Sequence, residues 1–95
     1  MGYKSHIGAG VILSNVKSNK TSVMVNINGE KIDTKLRKFG AIVSDFVEIG
    51  CNSVLNPGTI VGRNSIIYPL SNVRGFVQEN KIFKSVGNVI DKVWL

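Results

Sequence analysis

From Val43 onward an aliphatic residue returns at every sixth position: Val43, Ile49, Leu55, Val61, Ile67 and Val73. Taking these as first positions, the fifth positions are small or β-branched: Val47, Ser53, Thr59, Ser65 and Ser71. The fourth positions are Phe46, Asn52, Gly58, Asn64 and Leu70, a column whose glycine and asparagine members enter positive φ at least cost. Gly50 and Gly62 stand at second positions. A six-residue period with this much glycine fits no amphipathic helix, whose apolar residues recur at intervals of three and four. One large inward residue, one small inward residue and one left-handed corner describe a short strand followed by a tight bend. Such units stack into a parallel β-helix. Three hexads closing a triangular coil place residues 18 apart over one another, so Val43 is expected to lie on Val61 and Ile49 on Ile67.

The same pattern opens the chain. In IGAGVILSN, Ile7 takes a first position, Gly8 a second, Gly10 a fourth and Val11 a fifth, and Leu13 is the next first position. One hexad before Val43, Gly40 and Ala41 still fit, although Arg37 breaks the aliphatic column. Between Asn15 and that point the phase is lost. There Val23, Val25 and Ile27 alternate up to Asn28-Gly29, the strongest short hairpin signal. This turn would face Ile27 with Glu30, Val25 with Ile32 and Val23 with Thr34. The spacing predicts a β-hairpin arm over about 18–36, projecting from the coils and, with too little apolar company of its own, lying against a neighbour.

Downstream, the register is expected to drift after Val77. Ile82, Val86, Ile90 and Trp94, four apart, admit a short helix, while Val89 to Leu95 admit a final strand; Gly87 tells against the helix. Either form would cap the coil stack over about 77–95. The end at Met1 reads as cut rather than capped, which implies a trimer or an upstream region. The expectation is one all-β domain over 1–95, itself a piece of a longer two-domain protein.

Ninety-five residues, 43% of them hydrophobic, suffice for a single core. Cys51 is the only cysteine, so no internal disulfide can form and a reducing, cytoplasmic setting is expected. No apolar run reaches membrane-spanning length and no signal-peptide core opens the chain, so no membrane role is expected. The formal charge of +6 invites a nucleic-acid reading, but the cations are scattered from Lys4 to Lys92. The densest group, Lys35, Arg37 and Lys38, lacks the interleaved aromatics of a stacking platform. A small polyanion, such as a sugar phosphate or a diphosphate, would use the same charge.

The hexads IGAGVI, IGCNSV, LNPGTI and VGRNSI resemble the hexapeptide-repeat acyltransferases, whose fold is a left-handed parallel β-helix, usually trimeric. Within that superfamily, IGAGVILSNVKSNK, the hairpin, and DTKLRKFGAIVSDFVEIGCNSVLNPGTIVG are similar to the C-terminal domain of sugar-1-phosphate nucleotidylyltransferases. These are of the UDP-N-acetylglucosamine pyrophosphorylase and glucosamine-1-phosphate acetyltransferase type, and the similarity covers roughly residues 3 to 84. The family's nucleotide-binding α/β half is missing from this sequence, so nucleotidyl transfer is not expected of it. The resemblance implies a homotrimer that moves acetyl from acetyl-CoA to the amine of a hexosamine phosphate in UDP-N-acetylglucosamine biosynthesis. Such chemistry needs a base for the amine proton, donors for the tetrahedral oxyanion and an anion-tolerant groove.

Carried over residue by residue, the resemblance puts the acetyl- or amine-orienting asparagine on Asn15 and a substrate-binding lysine on Lys20. It runs the pantetheine arm beside third-position residues, here Ala9, Cys51 and Pro69, and places a cation for the CoA phosphates near Lys84. The relatives' general-base histidine falls more than a coil before IGAG, ahead of Met1. His6, the one histidine here, matches a substrate-contacting position and is the remaining candidate for catalysis. Val16 replaces a polar aromatic, Cys51 a serine, and Pro69 removes a backbone donor. Each residue also has a plain reading. His6 and Lys84 could be solvated charges, Asn15 a left-handed turn residue, Cys51 an inert groove wall, and the arm a packing insertion. Arg63 and Lys81, 18 apart, could form a second basic edge. A non-catalytic trimerisation or regulatory β-helix is the competing reading of the whole chain.

Overall fold

A computed structural model describes residues 1–85 and 87–92. The first coil is built from β1 (His6–Ile7) and β2 (Ile12–Leu13), after which the chain leaves for a hairpin, β3 (Met24–Ile27) and β4 (Glu30–Asp33). It returns as β5 (Ile42–Val43) to close the coil's third side. The second coil is β6 (Glu48–Ile49), β7 (Val54–Leu55) and β8 (Ile60–Val61), and the third is β9 (Ile66–Ile67), β10 (Asn72–Val73) and β11 (Phe76–Val77). β12 (Lys81–Ser85) begins a fourth, and β13 (Asn88–Asp91) turns back beside it. Three sheets result, ordered β1-β6-β9-β12-β13, β10-β7-β2 and β11-β8-β5. All neighbours within them are parallel except the last pair, β12 and β13.

The expected stacking is present: Val43 lies on Val61 and Ile49 on Ile67. The aliphatic column from Val43 to Val73 is buried and forms one core with Val47, Val77 and Phe83. Ser53, Thr59 and Ser65 are fully buried beside it. Their hydroxyls are there for the bends: Ser53 donates to the Tyr68 carbonyl (3.1 Å), Thr59 to that of Asn56 (2.6 Å) and Ser65 to that of Gln78 (2.8 Å). A small hydroxylated side chain thus fills the narrow corner of the prism and satisfies a carbonyl that the tight turn turns inward. Among the described residues no buried side-chain nitrogen or oxygen lacks a partner.

The fourth-position column adopts the left-handed conformation throughout, with φ of 57° at Phe46, 58° at Asn52, 83° at Gly58, 61° at Asn64 and 61° at Leu70. Asparagine and glycine accept this cheaply; leucine does not. Leu70 is 79% exposed, so its side chain gains little burial in return. Leu70→Asn is therefore expected to stabilise the chain by about 1 kcal/mol, read as a raised urea midpoint at unchanged slope.

The prolines fit the same grammar. Pro57 and Pro69 both occupy third positions, and the residues after them carry the ladder instead: Gly58 donates to the Gly40 carbonyl and Leu70 to that of Cys51. The donor that Pro69 removes is one the coil ladder does not call on at that corner.

The hairpin has the expected register, with Ile27 opposite Glu30, Val25 opposite Ile32, and Thr34 N–H bonded to the Val23 carbonyl at 3.0 Å. Asn28 (φ 51°) and Gly29 (φ 84°) make its turn. Its neck is closed by a Val16–Lys38 bridge and by Phe39 N–H donating to the Asn15 carbonyl. The apolar company that the sequence lacks locally comes from the chain's own coils. Val23 and Val25 are buried, and β3 packs on β8 and β11.

Two expectations are corrected. The register slips before Val77, not after it: Val73 lies on Leu55, 18 residues back, but Val77 lies on Val61, only 16 back. The Arg74-Gly75 bend, with Gly75 at φ 82°, turns this corner two residues short. As a result Asn80 N–H bonds to the Arg63 carbonyl, and Lys81 pairs with Asp91. Arg63 and Lys81 therefore form no second basic edge. The helical reading of the C-terminal segment also fails, because Ile82 pairs with Ile66 on one side and Ile90 on the other as strand residues. Val86, Trp94 and Leu95 lie outside the described residues.

Candidate functional site

The β1-β6-β9-β12 face carries a groove of about 410 Å³, lined mainly by apolar surface from three successive coils. Its wall is formed by Cys51 and Pro69 of the third-position column. Ile7 lies on Ile49 and Ile49 on Ile67, and Asn52 N–H reaches the Ala9 carbonyl (2.9 Å) as Leu70 N–H reaches that of Cys51 (3.0 Å). Cys51 and Pro69 are thereby stacked, as expected, Ala9 lies on Cys51 one coil further, and all three are exposed along the corner.

Glycine makes the close spacing of this wall possible. A Cβ on Gly8 would come within 2.9 Å of the Cys51 backbone nitrogen, and one on Gly50 within 2.4 Å of the Pro69 nitrogen. Neither glycine has positive φ, so the requirement is one of room rather than of backbone conformation. The same holds at Gly62, whose Cβ would meet the Glu79 nitrogen at 2.5 Å.

The groove gathers His6, Cys51 and Pro69 with two residues that the sequence reading did not single out. Glu48 is the direct register partner of His6 on the neighbouring strand, and both point outward on the same face. Tyr68 lines the floor beside Pro69, and the Lys84 ammonium sits 6.0 Å from its ring centroid. That is the outer limit of a cation–π contact and sets the lysine beside Tyr68, on the strand next to the groove. Both signals were in the sequence: Glu48 is 42 residues, seven hexads, after His6, and Tyr68 immediately precedes Pro69.

Asn15 and Lys20 lie elsewhere. Asn15 follows β2 on a different side of the prism, is exposed, and accepts through its backbone carbonyl from Phe39. It is not in the left-handed region, so its role as a left-handed turn residue is not what the chain uses. Lys20 takes that conformation instead (φ 57°), in a bend where its N–H bonds to the Lys17 carbonyl at 2.9 Å. Within one chain these two residues do not join the groove. Among the described residues, no group of three or more His, Cys, Asp or Glu could hold a metal ion, and no helix is long and apolar enough to cross a membrane.

A parallel β-helix of hexapeptide repeats, with a glycine-spaced groove along one face, is the class that this fold and site define. Its relatives are consistent with that class. The chain is 33% identical over 79 residues, 83% of its length, to a bifunctional sugar-1-phosphate nucleotidylyltransferase/acetyltransferase of Sulfurisphaera tokodaii. It is 39% identical over 67 residues, 70% of its length, to the bifunctional protein GlmU of Methanococcus vannielii. To the GlmU of Methanococcus maripaludis (strain C7) it is 31% identical over 93 residues, 97% of its length. The chain is thus a homologue of the bifunctional sugar-1-phosphate nucleotidylyltransferase/acetyltransferases, matching their C-terminal region. It spans 20%, 16% and 22% of the length of these three relatives. No model of a protein family matches it.

Proposed function

We propose that the chain is an acetyltransferase-type domain whose side groove takes the pantetheine arm of acetyl-CoA, in a homotrimer of left-handed prisms. The observation that carries this reading is the Cys51–Pro69 wall. Its apolar surface, its clearance by Gly8 and Gly50, and the cation over Tyr68 suit an extended, mostly apolar tether ending in phosphates. The reaction served is attack of a hexosamine phosphate's neutral amine on the thioester carbonyl. A nitrogen–carbon bond forms, the carbon–sulfur bond breaks, the CoA thiolate leaves and one proton comes off the nitrogen. His6, beside Glu48 at the groove, is the candidate for substrate contact or for that proton. Asn15 and Lys20, set on another side of the prism, would reach the groove of an adjoining subunit, with the hairpin beside them. The domain then works as the C-terminal part of a longer two-domain protein in the cytoplasm.

Isothermal titration with acetyl-CoA, alongside the mass in solution, tests the reading. A trimer that binds acetyl-CoA is expected, with Cys51→Trp filling the groove and weakening binding by roughly tenfold or more. A second reading, a β-helical trimerisation domain without catalysis, is favoured by one observation: Asn15 is held by its backbone in the hairpin's neck. A trimer indifferent to acetyl-CoA would select it.

A further inference from the structure

The third side of the prism, built on β5, β8 and β11, is the one that the hairpin strand β3 crosses. Where the hairpin turn meets this side, a hollow of about 480 Å³ opens. Ile60 and Phe76, register partners on β8 and β11, give it an apolar floor. Its rim is polar: Asn28 from the turn, Ser44 and Arg63 from the corners after β5 and β8, and Gln78 and Glu79 from the corner after β11. None of these residues lines the groove on the β1-β6-β9-β12 face, and none belongs to the Asn15–Lys20 segment.

Backbone register stacks the charged rim residues. Asn64 N–H donates to the Asp45 carbonyl (2.9 Å) and Asn80 N–H to that of Arg63 (3.0 Å), so Asp45, Arg63 and Glu79 follow one another down the corner. Asp45 is occupied, because its carboxylate accepts from the Tyr3 N–H at 2.7 Å. Arg63 and Glu79 are exposed and, although on neighbouring coils, are not paired: among the described residues the one ion pair is Lys81 with Asp91. Ser44 and Gln78 are tied into the coils by their carbonyls, which accept from the Ser5 and Ser65 hydroxyls, and this leaves both side chains to the hollow. One guanidinium and one carboxylate thus stand on the rim of a single hollow with an apolar floor.

We infer that this hollow binds a free amino acid with an apolar side chain, at a site of its own. Arg63 supplies the planar fork from which a carboxylate accepts, Glu79 accepts from the ammonium, and Ile60 and Phe76 receive the side chain. A zwitterion answers both charges at once. An anion alone would face Glu79 and a cation alone would face Arg63, each with like sign. A hexosamine phosphate also carries both charges, but its hydroxyl-bearing ring has no apolar group to lay on the floor.

The test is calorimetric titration of the whole chain with L-phenylalanine, N-acetylphenylalanine and phenylalaninamide, with amide chemical shifts reporting the place. Phenylalanine is expected to saturate one site, with shifts centred on Gly62, Arg63 and Glu79. Each blocked derivative should bind roughly tenfold more weakly, the equivalent of one charge-assisted hydrogen bond. Arg63→Gln should abolish the preference over phenylalaninamide and keep that over N-acetylphenylalanine; Glu79→Gln should do the reverse. Such a crossed pattern does not arise from loss of fold, and the comparison of ligands on the unaltered chain needs no variant at all. Arg37→Gln, exposed near the hairpin's neck and outside the hollow, should change affinity less than about twofold. No saturable binding, shifts centred on Tyr68 and Lys84, or a blocked derivative or glucosamine 1-phosphate binding as tightly as phenylalanine would each overturn the proposal. So would equal weakening by Arg37→Gln. Circular dichroism of each variant confirms that the fold persists.

Discussion

Leu55→Ala is expected to destabilise the chain by roughly 3–5 kcal/mol, because Leu55 is fully buried at the centre of the axial column. The prism is only one side chain wide. Val73 lies on one side of Leu55 and Leu13 on the other, so no second layer of side chains can close in on the lost volume. Total stability for 95 residues is of the order of 5–14 kcal/mol. A single truncation therefore removes about a fifth or more of it. Urea unfolding followed by circular dichroism gives the number, and a loss below about 1 kcal/mol would mean that the column is not a close-packed core.

Gly58→Ala is expected to cost about 3 kcal/mol from two separate sources. The φ of +83° there is unfavourable for any L side chain, and a Cβ would come within 2.4 Å of the Met24 carbonyl oxygen and 3.0 Å of a Val23 methyl. The contact is with the hairpin, so the effect should include loosening of the arm as well as the coil. Hydrogen exchange at Thr34, whose N–H bonds to the Val23 carbonyl, should quicken relative to amides of β6 and β9. Gly58→Asn separates the two sources. Asparagine tolerates the backbone conformation yet keeps the clash, so the arm should still unseat; protection at Thr34 equal to the parent chain would show that the hairpin does not bear on this corner.

That pair of expectations marks how far the sequence could be read. A six-residue period is visible because the inward residue of every side must be apolar and every corner left-handed; both demands fall on single positions. The hairpin was legible for the same reason, since Asn28-Gly29 fixes its register locally. Where the hairpin would lie was not legible. Nothing in the hexad column marks Gly58, rather than Asn52 or Asn64, as the corner on which the arm rests, although glycine is what the contact requires. The short turn at Arg74-Gly75 was missed because Val73 and Val77 each satisfy an apolar column, and only the pairing with Leu55 and Val61 reveals that two residues are gone. Of the site, the Cys51–Pro69 stack followed from the period. Glu48 and Tyr68 were placed by the same period, opposite His6 and beside Pro69, but the repeat does not fix the kind of side chain at outward positions, so nothing marked these two as groove residues.

Strand β13 gives the molecule a direction. Elsewhere in its sheet each strand runs the same way as its neighbours and offers the next turn of the spiral a template of matching polarity; β13 runs the opposite way. A further turn arriving at that edge would find donors and acceptors in antiparallel spacing and a Lys81–Asp91 pair beside them. On this face, among the described residues, β13 thus stands between β12 and any further turn of the same polarity, so parallel end-to-end stacking of copies against it is disfavoured.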